Sequence, residues 1–284
     1  MNAVLEIEDV RTRVQELPAL PHAIHEIAAA LSNEDLNLDE FSSKIAIDPA
    51  LVSKVLRAAN SPFYGMSGSI GSVHDAVRLI GLRTVSSLLT AVAISGRIDA
   101  PTCPGFNFRA FWSHSLVTAI CAQELARECA TAQNLAFTTG LLHDIGRLAL
   151  ASYYPRSYSG MYVAAQANDC SLLEAERAVV GITHTEIGAE IAAHWKFAEP
   201  IIDAIRRHHE PEGASVRGEP TVVDIVHAAD GIAHALELAE EGDELVPPLD
   251  LDSWERLPIA PQRYLRVFHR AEQAYEGMRH ALGL

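Results

Sequence analysis

Apolar residues return at every third or fourth position through most of this 284-residue chain, the spacing of one helix face. No stretch alternates with the period of two that marks a half-buried strand, so the pattern predicts an all-α fold. A short amphipathic stretch leads to the punctuation LPALP at 17–21, and from Pro21 the segment HAIHEIAAALS reads as a helix. A second helix opens at Asn37, with Glu40 three residues on in capping-box position, and runs to about Ile47. Asp48-Pro49 is an N-cap followed by proline at the first helical position, where a missing N–H is harmless. That helix, PALVSKVLRAAN, ends in the turn SPFYGMSG. Another starts near Ser72 with Asp75 in its first turn, breaks at Gly81, where glycine suits a positive φ, and resumes as LRTVSSLLTAVAIS.

The segment DAPTCPGFNF, 99–108, carries two prolines and a glycine and reads as a linker between two helical subdomains, 1–98 and 99–284. Longer helices are expected after it, over 108–130, 134–152, 155–168, 171–179, 183–194, 200–209, 221–241 and 260–281. Ser171 with Glu174, and Thr183 with Glu186, repeat the capping-box spacing. EPEGASVRGEP and EGDELVPPLDLD read as loops.

Composition narrows the function classes. The chain is 49% hydrophobic and 21% charged, as expected of a protein with a buried core. Its net charge of −15 repels phosphate backbones and anionic lipid, so DNA and membrane surfaces are not expected partners. The helical pair around DPALVSKVLRAAN and GSVHDAVRLIGLRTV has a helix-turn-helix outline, but on so acidic a chain its apolar positions read as packing. No apolar run approaches the roughly 20 residues of a membrane span. The first residues are acidic where a secretory signal needs a basic end. Cys103, Cys121, Cys129 and Cys170 form no CxxC pair. Together these features suit a reducing compartment and predict a cytoplasmic protein.

The chemistry gathers in the second half, which holds eight of the 13 histidines between positions 114 and 234. In LLHDIGRLAL, His143 and Asp144 are neighbours in what reads as an apolar helix. A carboxylate there is expensive to bury unless it is paired or ligates a cation. His114 lies in FWSHSLVTA, His184 in GITHTEIGAE, and His208-His209 closes IIDAIRRHHE. Asp230 is a second acid within an apolar helix, VVDIVHAADGIA. His227 and His234 flank it at helical spacing and read as supporting residues, while His22, His25, His74, His194, His269 and His280 read as ordinary core or surface positions. Arg147 and Arg206-Arg207 are candidate phosphate contacts, or else a solvated helix face.

In order, these residues spell H…HD…H…HH…D, which resembles the HD superfamily of metal-dependent phosphohydrolases, including the HD-GYP cyclic-di-GMP phosphodiesterases. Residues 15–100, through LPALPHAIHEIAAALS, IAIDPALVSKVLRAANSPFYG and SVHDAVRLIGLRTV, are similar to the front half of the HDOD family, a bacterial signalling module related to HD domains. WSHSLVTA, GLLHDIGRLAL, HTEIGAEIAAHW and IRRHHEP extend that likeness across nearly the whole chain. The resemblance implies an N-terminal bundle of small helices packed on an HD-like helical bundle. It implies that His114, His143, Asp144 and Asp230 ligate a metal, with Asp144 bridging to a second metal served by His184, His208 and His209. Mixed imidazole and carboxylate ligation suits Fe, Mn, Zn, Ni or Co.

Two departures stand out: the stretch after the paired histidines is EPEGASVRGEP, without Gly-Tyr-Pro, and Arg147 stands where the enzymes commonly have lysine. The expectation is therefore a signal-transduction module that binds partner signalling proteins, or a nucleotide or phosphate ligand over an HD-type pocket. The alternative is an active phosphohydrolase or phosphodiesterase, with Asp144 and Arg147 as its catalytic residues. Oligomeric state is not legible.

Overall fold

The structure is a computed structural model that describes residues 7–17, 45, 49–60, 70–82, 85–86, 89, 102–131, 133–211, 219–239 and 246–282. The helix expected from Pro21, nearly all of that from Asn37, the turn SPFYGMSG, most of LRTVSSLLTAVAIS, and His22 and His25 lie outside the described residues.

Every regular element described is helical. In chain order they are α1 (Ile7–Gln15), α2 (Pro49–Ala59), α3 (Val73–Ile80), α4 (Phe108–Glu128), α5 (Gln133–Leu142), α6 (Ile145–Tyr153) and α7 (Pro155–Asn168). There follow α8 (Leu172–Val179), α9 (His184–His194), α10 (Glu199–Arg207), α11 (Val222–Leu236), α12 (Leu251–Glu255) and α13 (Pro261–Leu282).

Local chemistry sets many of these boundaries. Ser72 Oγ accepts the Asp75 N–H at 3.1 Å to start α3, and Gly81, at φ +86°, ends it. Ser171 with Glu174 and Thr183 with Glu186 close capping boxes on α8 and α9, and Thr221 with Asp224 forms a third on α11. Such boxes satisfy N–H groups that have no partner within the helix.

One expectation is corrected. His143 and Asp144 do not sit inside a continuous helix over 134–152; the helix breaks there, and the pair forms the turn between α5 and α6. Asp144 stands at the N-cap of α6 but makes no side-chain cap bond, because its carboxylate is turned into the site described below. The segment read as a loop over 241–252 also acquires the short helix α12, started by Asp250 accepting the Ser253 N–H at 2.6 Å.

Helix α4 is the axis of the molecule. It is buried on every face from Ala110 to Ala122, and α5, α11 and α13 pack around it. Gly140 permits the close approach of α5 to α4, since a Cβ there would lie 2.8 Å from the Ala119 Cα. Helix α9 packs on α6, α10 and α1. At the α6–α9 crossing Gly146 is required, because a Cβ would overlap the His184 carbonyl. The front of the chain docks through Val10 and Val14 on α1 and Leu17 just after it, and His194 Nε2–H donates to the Leu17 carbonyl at 3.1 Å. No described helix is long and apolar enough to cross a membrane.

Candidate metal centre

Helices α4, α9, α10 and α11 and the α5–α6 turn point polar side chains at one spot between them. All seven residues singled out as ligands in the sequence are found there. Asp144 and Asp230 are its two acids, and both are buried. His184 Nε2 lies 3.3 Å and His208 Nε2 3.6 Å from Asp144 Oδ1, while His143 Nε2 lies 3.5 Å from Asp144 Oδ2. On the other acid, His114 Nε2 is 2.9 Å from Asp230 Oδ1, His143 Nε2 is 3.6 Å from the same oxygen, and His209 Nδ1 is 3.8 Å from Oδ2. The two carboxylates are thus joined through His143.

The imidazoles are oriented from behind. His143 Nδ1 lies 2.7 Å from the Gly140 carbonyl, and His208 Nδ1 lies 2.8 Å from that of Ile205. A carbonyl only accepts, so in each ring Nδ1 carries the proton and Nε2 faces inward as a lone pair. His184 follows the same design with a carboxylate, its Nδ1 being 2.7 Å from Glu176 Oε2. His227 supports His208 in turn. The Asp250 N–H donates to His227 Nε2 at 2.8 Å, which leaves Nδ1–H to donate to the His208 carbonyl at 2.6 Å.

These bonds leave His143 Nε2, His208 Nε2 and Asp144 Oδ1 buried with no hydrogen-bond partner among the described residues. A buried acceptor without a donor costs on the order of 1–3 kcal/mol. Three acceptors converging on one point are satisfied together by a cation. Donor atoms of Asp144, His184, His208 and His209 lie within 4.8 Å of one another, as do those of His114, His143 and Asp144, and those of His114, Asp230 and His234. The residues present therefore fit a metal.

Electrostatics agree with that geometry. Burial alone would raise the Asp144 carboxyl, but the Arg147 guanidinium and the protonated His184 imidazole hold it well below the usual carboxylate range. Asp230 is lowered likewise, against burial, chiefly by its hydrogen bond with His114. Burial opposes the His184 cation, yet Glu176 and then Asp144 push its pKa up to about 10. His208 and His209 are lowered, chiefly by burial.

Arg147 is locked rather than poised. Its Nη1 donates to Asp144 Oδ2 at 2.9 Å, Nε to the Tyr158 hydroxyl at 3.1 Å and Nη2 to the Tyr162 hydroxyl at 2.8 Å. A cleft of ≈ 340 Å³ opens over Asp144, His184, His209, Asp230 and His234.

The HDOD domain profile matches residues 17–211. The chain belongs to the HDOD family. An HDOD domain protein of unknown function from Geobacter sulfurreducens shares the fold, with a TM-score of 0.79 at 24% identity over 98% of this chain and 100% of that one. A Shewanella amazonensis protein that bears the provisional name phosphohydrolase has a TM-score of 0.70 at 27% identity, covering 95% of this chain and 97% of its own. Among curated relatives, an uncharacterized protein of Treponema pallidum is 28% identical over 221 residues, 77% of this chain and 42% of that protein. Ribonuclease Y of Enterococcus faecalis is 30% identical over 144 residues, 51% of this chain and 21% of that one. This HDOD chain spans less than half the length of these curated relatives.

Two participants were not singled out in the sequence. His234, read there as a supporting residue, has its Nε2 3.6 Å from Asp230 Oδ1 and its ring centroid 4.5 Å from that of His114. Its i+4 spacing from Asp230 was the available signal. Glu176, fully buried behind His184, gave none, since it reads as one more acid of an amphipathic helix. Arg206 and Arg207 close α10, and Arg207 pairs loosely with Asp203 at 3.5 Å.

Proposed function

We propose that this HDOD module is a signalling protein whose HD-type pocket holds a divalent transition-metal centre and hydrolyses a phosphoester. One observation carries the reading. Three imidazoles, each fixed by a bond at Nδ1, aim Nε2 at Asp144, and the buried acceptors so gathered have no other purpose visible in the fold. A merely structural descendant of an enzyme gains nothing from that convergence, because unsatisfied buried polar groups destabilise it.

On this reading Asp144, His184, His208 and His209 would hold one cation, and His114, His143 and Asp230 a second, with His234 beside Asp230. Fe, Mn, Zn, Ni and Co all accept such ligands. When bound, the cations polarise the phosphoryl oxygens and lower the pKa of the attacking water. Arg147 keeps Asp144 ionised and fixed, so it is a positioning residue. In the overall reaction water adds to phosphorus, the P–O ester bond breaks, and a proton passes to the departing alkoxide.

Elemental analysis of the purified protein, followed by a phosphoesterase screen with Asp144→Ala as control, tests the proposal. Bound metal and turnover, both lost in D144A, support it; a metal-free protein, or activity that persists in D144A, overturns it.

The locked Arg147 and the missing Gly-Tyr-Pro stretch favour a second reading. Here the same pocket binds a nucleotide or phosphate without turnover and reports it to a partner signalling protein. Metal retention and ligand binding without product over many hours would favour it.

A further inference from the structure

The reaction proposed above leaves open what else the substrate carries, and the cleft mouth bears on that. Among the described residues lining the cleft, the guanidinium groups are those of Arg147 and Arg177. Arg147 is fully engaged by Asp144, Tyr158 and Tyr162. Arg177, near the end of α8, instead reaches across the mouth to Glu210, with Nη2 2.7 Å from Oε2. Both partners of that pair are largely exposed, with side chains at 49% and 61% of their free accessibility. An exposed ion pair is weak, because water screens it and two long side chains must be immobilised to form it. A ligand phosphate offers Arg177 a doubly charged, bidentate acceptor in its place.

The other surroundings narrow the ligand. The N-terminus of α8 also faces the cleft, but its own Ser171–Glu174 capping box occupies it. Leu172, Leu173, Pro247 and Pro248 supply apolar wall between the metal-binding floor and the rim. A cavity of ≈ 340 Å³ lies within the range of small-molecule sites, with room for an organic skeleton as well as phosphate. On a chain of net charge −15, a polyanion needs a local cation to enter at all.

We infer that Arg177 is a specificity-determining residue that receives a second phosphate on the substrate, and that Glu210 holds it across the mouth until the ligand displaces it. The substrate class is a phosphoester whose apolar or heterocyclic skeleton carries another phosphate. This rests on the phosphoester reading of the metal centre.

The test is calorimetry on the metal-loaded protein with two ligands inert to hydrolysis, propylphosphonate and 1,3-propanediphosphonate. The wild type binds the diphosphonate at least about tenfold tighter, a charge-assisted contact's worth of affinity. Arg177→Ala abolishes that preference and leaves propylphosphonate binding unchanged. Arg177→Lys restores part of it, and Glu210→Gln strengthens diphosphonate binding because the competing carboxylate is gone. Melting curves confirm that each variant folds. Propylphosphonate that binds without any preference for the diphosphonate, or a preference that survives in R177A, overturns the inference alone. If neither phosphonate binds the metal-loaded protein, the phosphoester reading falls as well.

Discussion

At the scale of single residues, the decisive feature is which nitrogen of each imidazole carries the proton. Gly140, Ile205 and Glu176 settle it for His143, His208 and His184 by accepting from Nδ1. Glu176 differs from the two carbonyls in bringing charge, and with it the rise of His184 to about 10. At pH 7 the metal-free protein therefore carries a proton on His184 that a metal must displace. Metal uptake at pH 7 should release a proton, and apparent affinity should climb as pH rises from 7 toward 10. Titrations in two buffers of different ionisation enthalpy measure this directly, and identical heats in both would contradict it. Glu176→Gln keeps an acceptor of the same shape while removing the charge. It should weaken metal binding by roughly 10-fold, the low end for a residue supporting a ligand, and suppress the proton release. A variant with unaltered metal affinity would place Glu176 outside the site's electrostatics.

Among the elements, two helix contacts set the frame, and each depends on a glycine. Helices α4 and α5 touch at Gly140, and α6 meets the start of α9 at Gly146. At Gly146 the obstructing atoms are backbone, the carbonyl of His184 and the N–H of Gly188, so no rotamer change relieves the overlap. Gly146→Ala is expected to destabilise the fold by about 3 kcal/mol or more, beyond ordinary overpacking. That corresponds to a fall in melting temperature of roughly 6–12 °C for a chain of this size. It should also reduce metal binding, because His184 moves with the strand of backbone that gives way. A melting temperature equal to the wild type would show that the crossing is looser than described. The ion pair of Asp224 with Arg256, at 2.6 Å, ties α11 to the end of α12.

For the whole molecule, the unpaired acceptors at its centre predict a stability that rises when a metal binds. A cation that binds only the folded chain stabilises by about 2.7 kcal/mol per site at a hundred times its dissociation constant. Stripping with a chelator should thus lower the melting temperature by roughly 5–10 °C for each site emptied, and one added transition metal should restore it while magnesium does not. Melting temperatures that do not respond to either treatment would mean that the acceptors are satisfied in some other way.

Much of this was legible in the chain itself. Helical class follows from apolar spacing, and caps such as Ser72, Ser171 and Thr183 are written in two or three adjacent residues, because local bonds depend on local sequence. The seven candidate ligands were singled out too: His143, Asp144 and Asp230 by the cost of burying acids among apolar residues, and the set as a whole by the resemblance to HD and HDOD proteins. Tertiary structure alone decided the rest. The helix breaks at His143-Asp144, where the carboxylate meets Arg147, its neighbour His143, and His184 and His208 from distant segments. His234 and Glu176 acquire roles only when α11 and α8 are packed against the centre. Arg147 is locked by tyrosines 11 and 15 residues away. Spacing along a helix determines which side chains share a face, but only the packing of several helices fixes which faces meet.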